Sequence, residues 1–191
     1  MQSLSWLHIF FTFILGYFGA DIFTGSVHWV ADRYGSPNIP FFGENFIVPF
    51  REHHYNQEKI TDHDFWETNG NSCILLAPVL GAVCVYMLNP FLEASVMFWG
   101  VGVILANQAH KWAHMQNPPT IVKFFQKSLL LDVENHDVHH VSPHNTHYCI
   151  LNGWLNPILD RTRFFDKVEL WLSKVGIKPY DDGVVGSAPG E

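Results

Sequence analysis

From Leu4 to Ala20 the chain reads LSWLHIFFTFILGYFGA without a charged residue, close to the roughly 17–25 residues that a bilayer-spanning helix needs. The apolar pattern runs on through Asp21–Asp32, and the first Lys or Arg is Arg33. A cleaved leader would begin with basic residues and end on a small-residue site, so the pattern predicts a retained helix from about Leu4 to about Ala31. Two further apolar blocks, Cys73–Leu92 and Ala94–Ala109, meet at NPFLE, where Asn89-Pro90 marks a break. They predict a helical hairpin. Cys73–Leu88 covers only about 24 Å at 1.5 Å per residue, so this helix either recruits part of Asn69–Ser72 or dips in without crossing. The segments IVKFFQKSLLL (121–131) and FFDKVELWLSKVG (164–176) set Lys against large apolar residues, as helices lying in a membrane interface do.

The expected fold is all-α: an integral membrane protein of about three transmembrane or re-entrant helices plus interfacial helices, with a histidine-rich metal cluster on the cytosolic side. Residues 1–178 are expected to form one domain and 179–191 a disordered tail. A pair of buried helices in a soluble core is the alternative, since mean hydropathy is only +0.05. Charge placement favours the membrane. All 11 Lys and Arg are Arg33, Arg51, Lys59 or lie from Lys111 onward; a helix followed by a hairpin puts them all on one side, which the positive-inside rule makes cytoplasmic. The same partition gathers His28 through His147 on that side and leaves out His8. A net charge of −7 makes nucleic acid an unsuitable partner. Cys73, Cys84 and Cys149 form no CxxC pair, which fits reduced thiols.

The histidines carry the chemistry. His110 and His114 are spaced i, i+4, and His136, His139 and His140 are spaced i, i+3, i+4, so each set shares a helix face or its edge. His28, His53, His54, His63 and His144 add to them. A single zinc site takes three or four protein ligands; this supply is enough for two ions, and a bis-histidine haem would use few of them. Imidazole suits iron, copper, nickel and zinc. Adjacent pairs such as His53–His54 and His139–His140 diverge by about 100° on a helix, so one pair can serve two neighbouring ions. Asp21 lies in the first apolar stretch and must face protein or a wet cavity. It shares a helix face with His28 and Asp32, which makes both aspartates candidates for orienting imidazoles; Asp62, Asp64, Asp137 and Glu52 adjoin histidines and are candidates for the same task. Two histidine-bound irons at a membrane surface match O2 activation followed by hydrogen abstraction from an alkyl chain.

The motifs DxxxGxxHWxxD (21–32), PFREHH (49–54), HDFxETNG (63–70), NQxHKWxH (107–114) and HHVSPH with GWLN (139–156) resemble the Kua/CarF-type lipid desaturase family, whose animal members are plasmanylethanolamine desaturases. The resemblance implies two iron ions ligated by His28, His53, His54, His110, His114, His136, His139 and His140, with His63 a further candidate. Pro143 interrupts the helix ahead of His144, which leaves His144 to support the ligands; His147 and His8 are read as structural. The resemblance further implies an O2-dependent oxidoreductase that converts an alkyl-ether phospholipid to the vinyl ether of a plasmalogen. Its electrons come from a cytochrome b5 or ferredoxin-type donor. Acyl-chain desaturation of phosphatidylglycerol and lipid hydroxylation by the same cluster are alternatives, as is a non-catalytic haem- or metal-binding membrane protein. The expected location is the bacterial inner membrane or the endoplasmic reticulum; the sequence sets no oligomeric state.

Overall fold

The structure, a computed structural model, describes residues 4–86 and 89–180. Helix α1 (Trp6–Tyr34) begins where the Ser5 hydroxyl accepts the His8 N–H at 3.4 Å. Its 29 residues extend about 44 Å at 1.5 Å per residue. The hydrocarbon layer takes about 30 Å, so the last turns, with His28 and Asp32, have length to project beyond it. A π-helical turn (Gly43–Ile47) leads into α2 (Val48–Glu52), and His53 and His54 follow directly. After α3 (Lys59–Asp62) come α4 (Phe65–Tyr86) and α5 (Pro90–His114). Four shorter helices follow: α6 (Thr120–Gln126), α7 (Val133–His139), α8 (Asn156–Arg161) and α9 (Phe164–Lys174). The described residues contain no strand.

Helices α1, α4 and α5 are each long and apolar enough to cross a membrane. The helix expected to be short starts at Phe65 rather than Cys73; its 22 residues cover about 33 Å, and Asn69–Ser72 are part of it. At the hairpin, Asn89 Oδ1 accepts the Phe91 and Leu92 N–H groups at 2.9 and 3.3 Å. Pro90 takes the first helical position, where no donor is required.

Helices α1 and α5 approach each other closely at small residues. A Cβ on Gly16 would lie 2.6 Å from the Ser95 carbonyl oxygen, and one on Gly102 would lie 2.6 Å from Ala20 Cβ. Small residues let membrane helices meet this closely. Ala106, Ala109 and Ala113 continue the buried seam along α5 to the level of His110 and His114. Helix α4 buries only Asn69 and Leu76, and Ile74, Leu75, Val85 and Tyr86 are exposed, a surface suited to hydrocarbon. Polar groups tie it to α5: Asn69 Nδ2 donates to Gln108 Oε1 at 2.9 Å, and Asn107 Nδ2 to Ser72 Oγ at 3.2 Å. The motifs ETNG and NQ are thus the two halves of an interhelical joint.

Helix α6 exposes Ile121 and Phe124, and α9 exposes Leu170 and Trp171 while burying Phe165 against Trp29 and Tyr148. Arg33 reaches Glu169 with two bonds of 2.8 and 3.0 Å, a bidentate geometry that pins α9 to the end of α1. The Tyr180 N–H donates to the Arg33 carbonyl at 2.8 Å, so at least that residue of the expected 179–191 tail is seated on α1. Residues 181–191 lie outside the described residues.

Candidate metal centre

His28 comes from α1, His110 and His114 from α5, and His136 and His139 from α7, with His140 capping it. Three imidazoles are oriented by main-chain carbonyls. Nδ1–H of His139 donates to Thr146 at 2.7 Å, Nδ1–H of His28 to Tyr148 at 3.1 Å, and Nδ1–H of His53 to Phe50. A carbonyl only accepts, so the hydrogen of each neutral ring sits on Nδ1 and the lone pair on Nε2, the arrangement a metal ligand needs. Burial, reinforced by His28, pushes His139 down to about 4. Burial first and neighbouring imidazoles second also lower His53, His136 and His140 well below the usual histidine range. Burial thus favours the neutral form of these four rings.

Their nitrogens converge in two groups. His53, His110, His114, His136 and His140 each offer a ligand atom within 4.8 Å of the others, and so do His28, His53, His54 and His139. His53 belongs to both. In the first group His114 Nε2 lies 3.2 Å from His110 Nε2 and 2.9 Å from His136 Nε2, which is 3.0 Å from His140 Nε2. In the second, His54 and His139 approach at 3.0 Å through the same atoms. Imidazole nitrogens bound to one ion at about 2.0–2.1 Å stand roughly 2.8–3.4 Å apart when adjacent, which is the spacing seen.

Asp32 tests the fit independently. The residue is 1% exposed and neither carboxylate oxygen has a hydrogen-bond partner. Its Oδ2 lies 3.2 Å from His28 Nε2, 3.4 Å from His54 Nε2 and 3.5 Å from His139 Nε2. For His28 and His139 the hydrogen is already committed at Nδ1. A buried carboxylate would thus face lone pairs, an arrangement that a cation between them turns from repulsive to attractive. The donor set fits a metal in each group, and Asp32 stands among the ligand atoms of the second rather than behind them.

The other candidates fall outside the two groups. His63 is half-buried and its carbonyl accepts the Lys111 ammonium. His144 stacks on His54 with centroids 4.6 Å apart, and its Nδ1–H donates to the His139 carbonyl at 3.1 Å, so it supports the His54 ring and the main chain at His139. Asp64 caps α4, accepting the Trp66 and Glu67 N–H groups at 2.7 and 2.9 Å, because a helix start offers unpaired donors. Asp62 and Asp137 are exposed, and Glu52 pairs with Lys59. Asp21 acts at one remove: its Oδ1 accepts the N–H groups of Leu151, Asn152 and Gly153 at 3.0, 3.1 and 3.4 Å. It therefore holds the loop whose Tyr148 carbonyl orients His28.

Sequence reasoning missed that loop. Asn156 Oδ1 accepts the Cys149 N–H at 2.8 Å, while its Nδ2 donates to Asn135 Oδ1 at 2.9 Å, joining the loop to α7. Gly153 has φ +71°, and a Cβ there would lie 2.5 Å from Asn135 Oδ1, so a side chain is excluded twice over. The signal was GWLN itself, polar and glycine positions beside an apolar run.

Residues 17–182 match the lipid desaturase domain family. The chain is 42% identical over 185 residues to plasmanylethanolamine desaturase of Myxococcus xanthus, covering 92% of this chain and 64% of that protein. It is 37% identical to mouse plasmanylethanolamine desaturase 1, covering 88% and 67%, and 30% identical to the chloroplastic fatty acid desaturase 4 of Arabidopsis thaliana, covering 86% and 52%. The chain thus spans about two thirds of the length of the first two relatives. No solved structure matches.

Proposed function

Taking as premise that the chain belongs to the lipid desaturase family, we propose that it is a membrane di-iron desaturase that converts an alkyl-ether ethanolamine phospholipid to its vinyl ether. The observation that carries this reading is the pair of buried histidine groups sharing His53, at the ends of helices that can cross a bilayer. His110, His114, His136 and His140 would hold one iron and His28, His54, His139 and Asp32 the other, with the single Nε2 lone pair of His53 within reach of either group and free to serve one of them. Bound there, the irons supply O2 activation and the oxidising power to remove hydrogen from an unactivated alkyl chain.

The remaining work belongs to the protein. The carbonyls of Phe50, Thr146 and Tyr148 keep the ligand nitrogens lone-pair outward, and the packed seam of α1 and α5 holds His28 and His110 buried. The substrate loses two hydrogens from adjacent carbons. O2 takes them with two electrons from a cytochrome b5 or ferredoxin-type donor and two protons, and leaves as two waters. The one-sided distribution of Lys and Arg supports a cytoplasmic metal site.

Lipid analysis of a host supplied with alkyl-ether lipids, with and without this chain, tests the proposal. Vinyl ethers should appear only with the chain, and His110→Ala or His140→Ala should abolish them while the protein stays in the membrane. An alcohol with no alkene, or protein holding one zinc and no iron after growth in iron, would refute it. The likeness to the plant fatty acid desaturase carries a second reading, acyl-chain desaturation, which the same analysis reports as a new acyl double bond.

A further inference from the structure

Beside the first histidine group lies a cavity of about 310 Å³ between the π-helical turn, α2, α3 and the facing ends of α4 and α5. Its floor is His53 and His110, and the buried His53 Nε2 has no hydrogen-bond partner. Phe46, Val48, Phe50 and Ile60 form apolar walls. Uncharged polar residues such as Asn45, Thr68 and Asn107 complete the lining, and its charged members are Glu44, Glu52 and Glu67 against the single cation Lys59, an excess of two carboxylates. One space thus runs from a metal group through an apolar section to a charged mouth, the profile of an amphiphile lying with its headgroup outward. The volume is at the small end of ligand pockets, roughly 300–1,000 Å³, which suits a headgroup and the first part of a chain.

At the mouth, Lys59 Nζ donates to both oxygens of Glu52 at 2.6 and 2.7 Å. The lysine side chain is 50% exposed, and exposed pairs of this kind hold weakly. Building on the proposed function, we infer that the Lys59–Glu52 pair is the headgroup clamp of the cavity. It opens to take a phosphoethanolamine, with the phosphate on Lys59 and the ammonium on Glu52. The exchange conserves charge, since one internal ion pair becomes two pairs with a zwitterion. The carboxylate excess at the mouth favours the ammonium end and repels lipids whose headgroup is a net anion. A trimethylated amine keeps the charge but brings no N–H donor for the carboxylate.

The test uses the iron-loaded full chain in lipid bilayers with its electron donor and three alkyl-ether substrates, bearing ethanolamine, choline or glycerol headgroups. The wild type should prefer ethanolamine. Lys59→Gln and Glu52→Gln should each raise KM for the ethanolamine lipid about five- to tenfold with kcat and iron content unchanged. Glu52→Gln should narrow the preference over choline, and Lys59→Arg should restore the wild-type KM. Calorimetric binding of a short-chain ethanolamine ether lipid without O2 should weaken by the same factor. Variants with wild-type KM and headgroup preference would overturn the clamp and leave the desaturase reading standing, and loss of iron in either Gln variant would overturn it by assigning the pair to the fold. A wild-type chain that turns over none of the three lipids refutes the function on which the clamp rests, and the clamp with it.

Discussion

Replacing Asp32 by asparagine should move metal affinity and metal-free stability in opposite directions. A carboxylate and a unit positive charge 4 Å apart attract by about 4 kcal/mol at an effective dielectric near 20. A divalent ion strengthens this and the burial of the carboxylate opposes it, so a net loss of about 4 kcal/mol, roughly a thousandfold in affinity, is expected at tenfold per 1.4 kcal/mol. Only the second group feels this directly, because the Oδ2 contacts are to His28, His54 and His139. If the proposed di-iron reading holds, iron should fall from one ion in each group to the first group alone, and His114→Ala should do the reverse. Without metal the sign changes. The new amide can donate to an imidazole lone pair, worth about 0.5–1.5 kcal/mol, so the metal-free Tm should hold or rise. Elemental analysis of purified protein and thermal unfolding in detergent, with and without a chelator, read both quantities. Unchanged iron together with a lower metal-free Tm would refute the reasoning, since the carboxylate would then be held by protonated imidazoles and not waiting for a cation.

Asp21→Ala should destabilise the fold by several kcal/mol, because three buried N–H groups lose their acceptor at about 1–3 kcal/mol each. Asp21→Asn keeps a carbonyl oxygen in place and should cost less; equal Tm losses for the two would show that the loop does not depend on that acceptor. The metal-free protein should also lose stability in acid. His139 titrates at about 4 in the fold against an ordinary 6.5, so below pH 6.5 the unfolded chain binds the proton first. Its contribution is constant above that pH and falls by about 1.4 kcal/mol per pH unit down to about 4, with His53, His136 and His140 carrying the decline lower. A chelated sample whose Tm is flat from pH 7 to 4 would contradict neutral buried imidazoles.

The long helices were legible because a membrane imposes its requirement on composition: α1 and α5 differ from the expected spans mainly at their ends. For α4 the sequence left open whether part of Asn69–Ser72 joins the helix, and the helix takes in all of it, starting at Phe65. The Asn69 side chain and the Thr68 carbonyl serve as the joint to Gln108 and Asn107, a use that appears only once the two helices are side by side. The small residues Gly16 and Gly102 carried the register of α1 on α5, and nothing local distinguishes them from other glycines of an apolar run.

For the metal centre, helix periodicity reached as far as the divergence of adjacent rings. His139 faces the second group while His140 faces the first, and His53 faces both. Periodicity could not say what fixes each ring, and the aspartates chosen for that task mostly do something else. The orienting acceptors of His28, His53 and His139 are carbonyls of Tyr148, Phe50 and Thr146, and a main-chain carbonyl is the same whatever side chain it carries. Such acceptors leave a trace in the sequence only through residues that hold the backbone still. Here those are Asp21, on α1 and bonded directly to the loop, and Gly153 and Asn156 within it. The aspartate in the apolar stretch was rightly singled out as too costly to face lipid; the reason it is there is not an imidazole but three amides of a loop 130 residues away. A buried carboxylate ties a loop to a helix and the loop in turn fixes the tautomers of His28 and His139, so the geometry of the centre depends on a loop that contributes no ligand of its own.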